Sequence, residues 1–69
     1  DVEARVRELV ERLAAQAPPG ELYQQVEARW EKALLRRALE LTGGNQVKAS
    51  ELLGINRMTL RKKMEQYGL

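Results

Sequence analysis

The chain contains no cysteine and no histidine. Without cysteine there is no disulfide framework, and without either residue the usual zinc ligand sets cannot be built. No apolar run reaches the roughly eighteen residues needed to span a bilayer, and nothing resembles a signal peptide. A soluble, cytoplasmic protein without a membrane partner is therefore expected. Strand patterns, internal repeats and low-complexity segments are also missing. The glutamates lie on helix surfaces beside arginines, and no nucleophile–base pair or metal constellation can be assembled. Neither enzyme activity nor a cofactor, metal or small-molecule substrate is expected.

Sixty-nine residues make one small domain at most, 1–69, with limited capacity to bury a core of its own. Association with a second copy is the obvious remedy. The chain starts at Asp1 rather than Met, which suggests a piece cut from a longer protein.

What the chain does have is helical periodicity and an uneven charge distribution. The net charge is +2. Residues 1–44 hold seven Lys/Arg against eight Asp/Glu, whereas residues 45–69 hold five against two. A basic C-terminal third on a near-neutral body is the footprint of a localised polyanion contact.

Val2, Val6, Leu9, Val10, Leu13 and Ala17 recur at helical spacing, predicting a helix over 2–17 with supporting Glu3–Arg7 and Glu8–Arg12 pairs. Pro18-Pro19-Gly20 stops it. A second helix is predicted from about Glu21 to Thr42. Tyr23, Val26, Trp30, Leu34, Arg37 and Leu41 form one stripe, and Leu35, Ala38 and Leu39 widen the apolar surface. That breadth requires more than one neighbour. Gly43 and Gly44 supply the turn.

Asn45 then caps a short helix over 46–53, with Ala49, Leu52 and Leu53 facing inward. Gly54 closes it, Ile55 is a buried turn residue, and Asn56 caps a last helix from Arg57 to about Gln66. A helix-turn-helix needs small residues at the crossing, a residue tolerant of positive φ in the turn, and apolar residues locking the angle. Ala49 and Ser50, then Gly54, then Leu53, Ile55 and Leu60 meet those needs in order.

On the last helix, Leu60, Met64 and Tyr67 define the inward face. Met58, Arg61, Lys62 and Glu65 lie opposite, with Thr59 and Lys63 on the flanks. Arg57 sits in the first turn, where a recognition helix presents side chains to base edges. Arg57 and Arg61 suit bidentate contacts to guanine, and Met58 suits a thymine methyl. Lys48, Lys62 and Lys63 suit phosphates, which supply affinity and salt dependence rather than sequence choice. Asn45 and Asn56 stand at helix N-termini, whose free N–H groups favour phosphate oxygens. The contact surface should end near Lys63, because Glu65 repels phosphate.

From Leu22 onward the chain resembles the Fis family, including the Fis-type C-terminal domains of NtrC-like bacterial activators. The resemblance rests on Leu22-Tyr23, Val26-Glu27, Leu34-Leu35, Gly44-Asn45-Gln46, Ala49, Leu53-Gly54-Ile55-Asn56-Arg57, Thr59-Leu60-Arg61-Lys62-Lys63 and Tyr67-Gly68. It implies an all-α fold of four helices. The first two, within 1–44, would intertwine with those of a second subunit in a homodimeric four-helix core, and 45–69 would form the helix-turn-helix. Val6, Leu9, Leu13, Tyr23, Val26, Trp30 and Leu34 would line the dimer interface. Asn56 and Arg57 match base-contacting positions. Asn45, Thr59, Arg61, Lys62 and Lys63 match positions near the backbone or groove.

The sequence departs from Fis at Val47, which replaces a hydroxyl, and at Glu65 and Gln66, which replace lysines. The reduced basic flank suits the C-terminal domain of a sigma-N-dependent activator, with Fis itself as the alternative. The expected partner is double-stranded DNA with an inverted-repeat site, bound by a homodimer in the bacterial nucleoid. A reading of another class is a helical docking or dimerisation module whose basic helix meets an acidic partner.

Overall fold

The computed structural model describes all 69 residues and contains helices only: α1 (Val2–Ala14), α2 (Leu22–Leu41), α3 (Gln46–Leu53) and α4 (Arg57–Tyr67). No helix is long and apolar enough to cross a membrane. The chain divides into two compact units, Asp1–Trp30 and Glu31–Leu69. The boundary lies inside α2.

In the first unit, Asp1 caps α1, its Oδ1 accepting the Ala4 N–H at 2.8 Å. The helix ends at Ala14, short of the Ala17 expected from periodicity. Ala17 precedes Pro18, whose ring disfavours helical backbone at the residue before it. The chain therefore unwinds earlier, through turn bonds from the Gln16 and Ala17 N–H groups to the Leu13 carbonyl. Leu13 is buried, Leu9 and Val10 are half-buried, and Val2 and Val6 are exposed. The expected Glu3–Arg7 and Glu8–Arg12 pairs do not close. For such exposed side chains the entropy of holding the geometry cancels most of the attraction.

Helix α2 starts at Leu22, with the Glu21 carbonyl accepting its first turn bond from Gln25. In the first unit, Tyr23 is 78 % and Trp30 47 % exposed, while Val26 is half-buried. In the second unit the apolar breadth of α2 resolves into two faces. Leu35 and Ala38 are buried at 2 % and 4 % exposure, whereas Leu34 and Leu41 stay open at 47 % and 62 %.

The core of the second unit is Leu35, Ala49 and Leu60, packed by Leu39, Leu53, Ile55, Met64, Tyr67 and Leu69. Full burial of each leucine is worth about 1.5–3 kcal/mol. One inward assignment fails: Leu52 is 59 % exposed, and Ser50 is buried in its place. At roughly 100° per residue, Ala49, Ser50 and Leu53 share one arc and Leu52 falls outside it. The Ser50 hydroxyl is satisfied by donating to the Val47 carbonyl at 2.8 Å.

Helices α2, α3 and α4 close in the same way. Gly44 N–H donates to Leu39 O, Ile55 N–H to Ser50 O and Leu69 N–H to Met64 O, at 2.8, 3.1 and 2.8 Å. The preceding residue in each case, Gly43, Gly54 or Gly68, donates to Glu40, Glu51 or Glu65. This six-to-one and five-to-two pairing is the Schellman closure, and it places a left-handed residue directly after the helix. Helix α4 runs one residue beyond the expected Gln66, to Tyr67, because its glycine stands at position 68.

Candidate nucleic-acid interface

Two caps and one turn set the position of α4. Asn45 Oδ1 accepts the Lys48 N–H at 3.0 Å, which starts α3. Gly54, at φ 74°, ends α3 in left-handed backbone that a side chain tolerates poorly. Asn56 Oδ1 then accepts the Met58 N–H at 2.7 Å and starts α4. Each asparagine uses its carbonyl oxygen for capping and keeps an amide NH₂ for other acceptors. Backbones of α3 and α4 approach closely, and Ala49, with no exposed surface, sits where a larger side chain would push them apart.

Leu60 is fully buried, and Met64 and Tyr67 are half-buried on the same side of α4. Arg57, Met58, Thr59, Arg61, Lys62 and Glu65 are exposed. Helical register puts Arg57 and Arg61 on one flank of Leu60 and Lys63 on the other. The outer surface of α4 thus offers guanidinium groups on one edge, a thioether and a hydroxyl, and the Lys62 ammonium. Glu65 adds the only negative side chain on the helix. Lys48 is exposed on α3.

Lys63 is placed differently from its neighbours. Its ammonium donates to Glu31 Oε2 at 3.0 Å, with side-chain exposures of 32 % for Lys63 and 17 % for Glu31. The Tyr67 hydroxyl donates to the other oxygen of the same carboxylate. These two hydrogen bonds, Tyr67 first and Lys63 second, hold the Glu31 carboxyl below its ordinary value of 4.5 against the opposing effect of burial. The pair differs from Arg37–Glu40, whose partners are 67 % and 55 % exposed and whose contribution is near zero.

Sequence reasoning missed Glu31. Its partners lie 32 and 36 residues away, beyond any local pattern. A signal was nonetheless present, because Glu31, Leu35 and Ala38 follow i, i+4 and i+7 on the face of α2 that carries the buried residues, and Thr42, at i+11, continues that line just past the helix end. An acid on a buried stripe calls for a cation or a donor. Thr42, at the other end, donates its hydroxyl to the Ala38 carbonyl at 2.9 Å.

Of the seven side chains expected at a dimer interface, Leu13 is already covered by its own chain, and Leu9 and Val26 are half-covered. Val6, Tyr23, Trp30 and Leu34 are open to solvent.

Two short helices joined through a left-handed glycine, the second bearing a row of outward cations, define a helix-turn-helix unit. A family model described as bacterial regulatory protein, Fis family, matches residues 28–67. The DNA-binding transcriptional regulator NtrC of Rhizobium meliloti is 44 % identical over 68 residues, 99 % of this chain and 14 % of that protein. The DNA-binding protein Fis of Glaesserella parasuis is 42 % identical over 69 residues, all of this chain and 69 % of that protein. Fis of Proteus mirabilis is 47 % identical over 50 residues, 72 % of this chain and 51 % of that protein. The chain therefore spans about one-seventh of the NtrC relative and half or more of these Fis relatives. It belongs to the Fis family of bacterial regulatory proteins.

Proposed function

We propose that 1–69 is one homodimeric, sequence-specific double-stranded DNA-binding domain, with 1–44 for dimerisation and 45–69 for reading. The observation that carries this reading is the exposed Arg57, directly after the Asn56 cap and beside exposed Met58, Arg61 and Lys62, with Leu60 buried behind them. Helix α4 enters the major groove N-terminus first. Asn56 and Arg57 meet base edges, Met58 meets a thymine methyl, and Asn45, Lys48, Thr59, Arg61 and Lys62 serve the backbone or groove margin, while Lys63, on the flank of α4, is bonded to Glu31.

The homodimer is supported by open apolar side chains in both units, Tyr23 and Trp30 in one and Leu34 in the other. Two recognition helices in a two-fold dimer read an inverted repeat. The protein then works in the bacterial cytoplasm, on the nucleoid.

Within this class the chain is the C-terminal domain of an NtrC-type, sigma-N-dependent activator. The supporting feature is the sparse cationic flank beyond Lys63, where Glu65 and Gln66 stand. The alternative, a Fis-type DNA-bending protein, is supported by the match to the Glaesserella parasuis protein, which covers all of this chain and 69 % of that protein. Fluorescence titration of duplex DNA at two salt concentrations tests the shared claim, and gel mobility of circularly permuted duplexes separates the two. A DNA-binder loses affinity by orders of magnitude as salt rises and prefers one sequence over competitor. Weak, salt-insensitive binding without sequence preference would overturn the reading in favour of a docking module.

A further inference from the structure

We infer that Glu31 is a positioning residue for the recognition helix, and that it withdraws Lys63 from the set of cations available to DNA phosphates. The inference rests on the DNA-binding reading and assigns a role that the sequence pattern does not give.

Lys63 and Tyr67 are four apart on α4, so both project from one flank of that helix toward a single carboxylate on α2. That flank is opposite the one bearing Arg57 and Arg61. Two donors spaced one helical turn apart on one carboxylate add to the packing of Leu60, Met64 and Tyr67 in holding the roll and axial position of α4. The roll in turn decides whether Arg57 faces base edges or sugar–phosphate.

Charge reinforces this geometry. The Glu31 side chain is 17 % exposed, so its charge is poorly screened by solvent, and its low-lying carboxyl is ionised at neutral pH. The Lys63 ammonium, 3.0 Å away, is its counter-ion. A phosphate taking Lys63 would have to leave that carboxylate with Tyr67 alone. Lys62 has no such partner and faces outward. Adjacent lysines in one motif thus have different jobs: Lys62 faces the polyanion and Lys63 neutralises the fold.

The test is the salt dependence of binding to a mixed-sequence duplex by the full chain and three variants. Lys62→Met should flatten the slope of log affinity against log salt by about 0.9, the value of one phosphate contact. Lys63→Met should leave that slope unchanged. Glu31→Gln keeps an acceptor oxygen but no charge, so the Lys63 charge is no longer cancelled. It should bind mixed-sequence DNA more tightly and with a slope steeper by about 0.9. A purely structural role for Glu31 would instead weaken binding. Equal flattening by Lys62→Met and Lys63→Met, or no gain in Glu31→Gln, overturns the inference. A wild-type chain that binds no duplex overturns the DNA reading instead. Thermal melts without DNA tell the two failures apart. Glu31→Gln and Lys63→Met should be non-additive there, with the double variant no worse than the weaker single, and additive losses overturn the pairing itself.

Discussion

Replacing Gly54 by alanine isolates the contribution of backbone conformation to the helix-turn-helix. Gly54 sits at φ 74°, and a Cβ built on it meets no atom within 4 Å. The whole cost of Gly54→Ala is therefore conformational rather than steric. Left-handed backbone costs an L-residue roughly 1–2 kcal/mol. The reduced freedom of the unfolded chain returns about 0.4–1 kcal/mol, leaving a net loss between about 0 and 1.6 kcal/mol with a middle value near 1 kcal/mol. For a domain of this size that lowers the melting midpoint by about 4–8 °C. Gly54→Asn should recover part of the loss, because asparagine enters the left-handed region more readily. The assay is thermal melting followed by circular dichroism at one fixed protein concentration, since a self-associating chain melts in a concentration-dependent way. A loss above about 3 kcal/mol would mean a collision that the open space at Gly54 denies. A clear gain in stability would mean that position 54 is not left-handed.

Other outcomes follow from the core, the carboxylate clamp and the open apolar side chains. Leu60→Ala removes a fully buried side chain from the centre of the second unit and should cost about 2–5 kcal/mol in urea unfolding; a cost under about 1 kcal/mol would contradict its central place. Because the Glu31 carboxyl is held below 4.5, its contribution is fully present above that pH and is lost as acid protonates it in the folded state. Stability of the wild type should accordingly fall more steeply below about pH 4.5 than that of Glu31→Gln, and parallel pH profiles would contradict this. Trp30 is the only tryptophan and is 47 % exposed in the single chain. Its emission should shift to the red on dilution as a dimer dissociates, and Leu34→Glu should show the red-shifted emission at every concentration; an emission maximum independent of both would argue against an interface there.

The helix-turn-helix was legible because its determinants are local. Asn45, Gly54, Asn56 and Gly68 fix helix ends through bonds to residues two to four positions away, and α3 begins and ends where those residues put it. The inward face of α4 was legible for the same reason, since Leu60, Met64 and Tyr67 obey one helical period. Periodicity alone was less reliable at margins. Ala17 fits the α1 pattern but lies before a proline, and Leu52 is apolar yet outside the arc defined by Ala49, Ser50 and Leu53. Least legible were long-range choices. The sequence offers two apolar faces on α2 and does not say which one its own chain covers. Nor does it distinguish Lys62 from Lys63, a distinction made only by a carboxylate 32 residues away.

The most direct test of the account is selection of binding sites from a randomised duplex library by the wild-type chain and by Arg57→Ala. The wild type should recover an inverted repeat with a fixed base in each half-site, its half-sites about one helical turn apart. Arg57→Ala should lose preference at one position per half-site, with about 1–3 kcal/mol less discrimination there, while keeping the rest of the pattern. Recovery of no common sequence by the wild type, or of the same sequence by both proteins, would contradict the claim that the exposed first turn of α4 reads DNA.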